Sequence, residues 1–62
     1  MSFKDKTFQE MENEKLRVAS HIGGLLNEFF KHGHSNLVMA LFDSILYYRQ
    51  LMVAVQKGAY KH

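Results

Sequence analysis

The 62 residues contain no cysteine, no proline and no tryptophan, and only 4 glycines. Without cysteine, neither a disulfide nor a thiolate zinc site is available to hold the fold together, and the composition fits a reducing compartment. Without proline, nothing in the chain interrupts a long helix. A strong excess of one charge is also missing, since 8 Lys and Arg against 6 Asp and Glu leave a net charge of +2. The pI of about 9.1 therefore reflects a small imbalance, and the basic residues are scattered rather than gathered as in a nucleic-acid-binding patch. Met1 to Glu14 is highly charged and lacks the apolar core of a signal peptide. The expectation is a cytoplasmic protein, from a bacterium or a phage.

What is present is apolar: 47% of residues are hydrophobic and 23% charged, a folded rather than a disordered composition. Residues 1–62 make one small domain. Burying the apolar surface of a compact monomer of this mass supplies about 95 kcal/mol, and ordering the chain costs about 93 kcal/mol. A monomer is thus marginal. Self-association or docking on another protein is the remaining source of stability.

Two long helices are expected. Phe8, Met11, Val18, Ile22, Leu25 and Phe29 follow the three-then-four spacing of a helix seam, broken by Lys15, and Leu16, Ala19, Gly23, Leu26 and Phe30 form a second row beside it. This predicts a first helix from about Asp5 to Lys31. Residues 32–35 form a turn in which Gly33 takes the left-handed stop, and Ser35 or Asn36 caps the next helix. The second helix runs from about Asn36 to Lys57, with Gly58 as its stop and a short frayed tail from Ala59 to His62. Gly23-Gly24 costs roughly 2 kcal/mol of helix propensity and reads either as a small surface for close helix approach or as a hinge. The seam stays in phase across the pair, which favours close approach.

The second helix has one polar stripe, Asn36, Asp43, Gln50 and Lys57, recurring every seven residues. Nearly all else is apolar. Val38, Leu41, Ile45, Tyr48, Met52 and Val55 form one seam, assigned to the first helix, with Tyr48 among its members. Met39, Leu46 and Val53, with Ala40, Tyr47 and Ala54 alongside, form a second. An antiparallel partner covers only one seam, so the second is expected to meet another chain. The predicted fold is all-α: a two-helix antiparallel hairpin dimerising into a four-helix bundle. Leu37 to Val55 is also a candidate membrane span, but Asp43 and Arg49 inside it oppose insertion by roughly 2.5 to 3.5 kcal/mol each, so no membrane partner is expected.

The candidate partner interface is Met39, Leu46, Tyr47 and Val53, with Tyr47 as the sharpest hot-spot candidate. Lys57 and Lys61, meeting the N-terminal lysines at the open end of the hairpin, are the candidate nucleic-acid contacts. His32 and His34 flank Gly33 as an HxH pair, yet His21 and His62 lie too far along the chain to complete a four-ligand site. They read as turn residues suited to a helix C-terminus. No phosphate loop, cysteine nucleophile or His-carboxylate arrangement is present, so neither a cofactor nor an enzymatic activity is expected.

Leu26-Asn27-Glu28-Phe29-Phe30-Lys31-His32-Gly33, continuing to Phe42, resembles one tetratricopeptide-type helical hairpin. Leu26, Phe29, Gly33 and Phe42 fall on the spaced large, aromatic, glycine and aromatic positions; Ser35 replaces an aromatic, and Val38 and Ile45 replace alanines. The resemblance covers about half the chain. It implies a protein-binding hairpin, similar to the small two-helix co-chaperones of secretion systems and in size and layout to short two-helix degradation adaptors. The functional expectation is a small adaptor, co-chaperone or inhibitor acting as a homodimer on another protein, with a regulatory nucleic-acid-binding bundle as the alternative.

Overall fold

A computed structural model describes residues 3–62. Strand β1 (Phe3–Thr7) leads into helix α1 (Phe8–His32), which packs against helix α2 (Leu37–Lys57), and a two-residue strand β2 (Tyr60–Lys61) ends the chain. The hairpin measures 43 × 17 × 16 Å. Both helices stop on a glycine in the left-handed conformation, Gly33 at φ 65° and Gly58 at φ 68°, a region costly for any residue with a Cβ. The Gly33 N–H donates to the Phe29 carbonyl at 2.7 Å, and Leu37 and Val38 N–H donate to the His34 and Ser35 carbonyls at 3.1 Å each. Asn36 occupies the N-cap position of α2, but its side chain makes no capping bond. Helix α1 runs unbroken through Gly23-Gly24.

The predicted fold class was all-α, and the ends of the chain depart from it. Helix α1 starts at Phe8 because Thr7 and Glu10 form a capping box: Glu10 N–H donates to Thr7 Oγ1 and Thr7 N–H to Glu10 Oε1, each at 3.2 Å. The residues before it are left extended. Strand β1 pairs in parallel with β2, Phe3 opposite Tyr60 and Thr7 opposite Lys61, with an irregularity between. The expected frayed tail is therefore ordered. The Tyr60 ring lies 5.6 Å from Phe8 and 4.9 Å from His62, whose Nε2 hydrogen-bonds the Gly58 carbonyl at 2.9 Å.

The core sits toward the open end and consists of Phe3, Met11, Val18, Leu51 and Ala54, with Met11 and Leu51 fully buried. Helix α1 presents the predicted seam except at its first member: Met11, Val18, Ile22, Leu25 and Phe29 are buried or half-buried, whereas Phe8 is exposed. Helix α2 presents its predicted seam only in part. Leu41, Tyr48 and Val55 of that seam face inward, but the inner face is centred on Leu51 and reaches round to Tyr47 and Ala54, a turn of somewhat less than one residue step of about 100°. Ile45, placed in that seam, is 49% exposed.

Candidate interaction surfaces

The groove between two antiparallel helices has two sides. Phe3 fills one, packing on the core and lying 6.3 Å from the Tyr47 ring. Tyr47 and Ala54, seven residues apart, follow one line along α2, and this line is the side that Phe3 covers. On the same side the Tyr47 hydroxyl donates to Glu14 Oε2 at 2.8 Å, and Arg17 Nε donates to Glu14 Oε1 at 2.6 Å. The Arg17 bond first, and the Tyr47 bond second, hold the Glu14 carboxyl down to about 2. Burial, reinforced by the Glu14 carboxylate, raises the Tyr47 phenol. Tyr47, assigned from the sequence to the partner-facing side, is thus half-buried inside the hairpin. An acceptor for its hydroxyl and a tilted ring contact with Phe3 are both found there.

Met39, Leu46 and Val53 are exposed on the outer side of α2, Met39 at 67% and Leu46 at 55%. Leu46 and Val53 share a hollow of about 350 Å³ with Ala54 and Ala59, and Arg49 and Lys57 stand at its rim. The structure thus brings together two of the predicted interface residues and one of the predicted phosphate contacts. Among the described residues neither rim cation has an acidic partner. Lys61 is exposed on β2 and does not line this hollow.

Among the described residues no strand lies on the other side of the groove. A wholly apolar hollow of about 250 Å³ opens there near the turn, lined by Leu26, Phe29 and Phe30 of α1 and by Leu41, Phe42 and Ile45 of α2. A second hollow of about 320 Å³ is lined by Ala19, Ile22 and Tyr48. Ala19 lies seven residues before Leu26, and Tyr48 seven after Leu41, so both hollows open on one side of the molecule. Phe30 is 79% and Leu16 70% exposed on this side. A Cβ built at Gly23 or Gly24 meets nothing within 4 Å, so within one chain no helix makes the close approach expected at the pair.

At the turn, His32 Nε2 lies 3.6 Å from Glu28 Oε2, and the His32 and His34 rings stack at 5.6 Å. No group of three or more metal-ligating side chains converges among the described residues. Helix α2 is long and apolar enough to cross a membrane by length and composition, with a mean hydropathy of 1.3 and 17% of that stretch buried in the hairpin.

The covered side was hidden from sequence reading because α2 is apolar on all but one narrow stripe and carries little amphipathic signal to fix its rotation. Phe3 stood among charged residues, and the Thr7-Phe8-Gln9-Glu10 capping box was the one local signal that the chain before it is extended. Compared with protein families, curated proteins and solved structures, the chain matches none.

Proposed function

We propose that this protein is a small non-enzymatic adaptor, co-chaperone or inhibitor that works by binding another protein, and that two copies associate into a four-helix bundle. The observation carrying the partner-binding reading is the outer side of α2, where Met39, Leu46 and Val53 stay exposed beside Arg49 and Lys57, which have no acidic partner among the described residues. A monomer has little reason to keep such a row in water, whereas a partner helix offering apolar residues flanked by carboxylates matches it in shape and sign. The tetratricopeptide-like spacing of Leu26, Phe29, Gly33 and Phe42 points to the same mode of action. We place the protein in the cytoplasm, where such partners are met.

The test is capture from cells of the source organism followed by mass spectrometry. Leu46→Asp is expected to lose the protein that the unaltered chain captures, while joint Lys57→Gln and Lys61→Gln weakens capture no more than a few-fold. The second reading, a nucleic-acid binder, draws support from the exposed Lys57 and Lys61 at the open end. It requires the reverse result, and a steep loss of affinity with salt that an apolar contact does not show.

A further inference from the structure

We infer that the bare side of the groove is covered by a second copy of this chain, packed so that α1 of each copy lies along α2 of the other. The inference rests on the dimer proposed above and assigns it a face that the sequence did not select.

Two rows meet on this side. Helix α1 contributes Leu16, Ala19, Gly23, Leu26 and Phe30; α2 contributes Val38, Phe42, Ile45 and Met52. Counted outward from the turn, Phe30 is level with Val38, Leu26 with Phe42, Gly23 with Ile45 and Leu16 with Met52, each within about one 1.5 Å helical rise. The lining of the turn-end hollow, which draws Leu26, Phe30, Val38, Phe42 and Ile45 together, agrees with this register. A two-fold axis parallel to the helices, between two facing hairpins, preserves heights and places the α1 row of one copy on the α2 row of the other. In the middle of the face large side chains then meet small ones, while Leu26 meets Phe42 and Leu16 meets Met52 as large apolar pairs. Ile45 and Tyr48 enter the hollow beside Ala19 and the open Gly23 of the facing copy, and the protruding Phe30 meets Val38 and Phe42. An isologous contact requires this self-complementarity.

Size and charge are compatible with a copy of the chain. The 43 × 17 Å outline of the hairpin limits the footprint of one flat side to at most roughly 700 Å², so a contact along the whole side is needed to approach the roughly 800 Å² per partner of a stable interface. Near the turn the hollow on this side is wholly apolar, and toward the open end Lys15 is bridged to Glu12 at 3.2 Å. Such a face offers little to a charged partner or to the anionic headgroups that a cationic fringe would hold.

Sedimentation equilibrium on the full chain and its variants tests this. Phe30→Glu and Gly23→Leu are each expected to raise the dimer dissociation constant at least tenfold, while Leu46→Asp leaves it within threefold. Gly23→Leu is the sharper variant. It replaces a poor helix former where the single chain has open space, so the monomer should gain helix stability while the dimer loses its contact. Because the chain has 0 Cys, a mixture of Leu16→Cys and Met52→Cys chains treated with a short bismaleimide is expected to give the linked heterodimer, and Met39→Cys chains alone are expected to give none. Dissociation by Leu46→Asp with dimers retained in Phe30→Glu and Gly23→Leu would keep the dimer and overturn this face. A monomer at every concentration would overturn the dimer itself.

Discussion

Tyr47 of α2 donates its phenolic hydrogen to Glu14 of α1 across 33 residues of chain, at 2.8 Å. This bond supports the rotation that the burial of Leu51 and Ala54 gives α2, with Tyr47 inward and Leu46 and Val53 outside. Tyr47→Phe is therefore expected to cost about 1 to 2 kcal/mol, read from urea unfolding. It also alters the acid response. Glu14 titrates at about 2 in the fold against an ordinary 4.5, so its stabilisation is complete above 4.5 and is lost as the pH falls toward 2. Melting temperatures between pH 2 and 5 should rise more steeply with pH in the unaltered chain than in Tyr47→Phe; equal slopes would refute the linkage.

The buried Phe3 makes the N-terminal strand part of the core. Phe3→Ala is expected to destabilise the protein by about 3 to 5 kcal/mol, and Thr7→Ala by about 1 kcal/mol through loss of the cap. Denaturant midpoints check both. An unchanged midpoint in Phe3→Ala would show that the strand contributes nothing to the core.

Leu51 and Ile45 distinguish the observed rotation of α2 from the one the apolar spacing suggests. Leu51 is fully buried and Ile45 half-exposed, so Leu51→Ala should cost about 2 to 5 kcal/mol at any protein concentration. Ile45→Ala should matter little at high dilution, where single chains prevail. Chemical unfolding at two concentrations separates the cases, and the opposite ranking would restore the seam read from the sequence.

That contrast marks what the sequence made legible. On α1 the apolar and polar residues segregate, so Met11, Val18, Ile22, Leu25 and Phe29 were readable as one seam, and Gly33 and Gly58 announced both helix stops. On α2 apolar residues fill all but one narrow stripe, and which of them face inward is set by tertiary contacts, the packing of Leu51 and Ala54 and the Tyr47 bond to a residue 33 positions away. The parallel strand pair joins the two ends of the chain and has no local periodicity. Of the interface residues chosen from sequence, Met39, Leu46 and Val53 lie outside as expected, and Tyr47 does not.

The histidines at the turn carry a prediction of their own. His32 and His34 stack on one another, with Glu28 as their nearest acid, and no further ligand converges on them among the described residues. Changing both to Asn should leave the melting temperature within about 2 °C, and added zinc should not raise it. A zinc-dependent rise abolished in the double variant would establish a metal site.

The central claim is that the apolar sides of this hairpin are working contact surfaces rather than tolerated exposure, and the concentration dependence of the melting temperature tests it most directly. An associating chain gains stability by mass action, so the melting temperature should climb steadily as protein concentration is raised from micromolar to millimolar. A cooperative transition at the same temperature throughout, from a species that sediments as a monomer, would contradict the account.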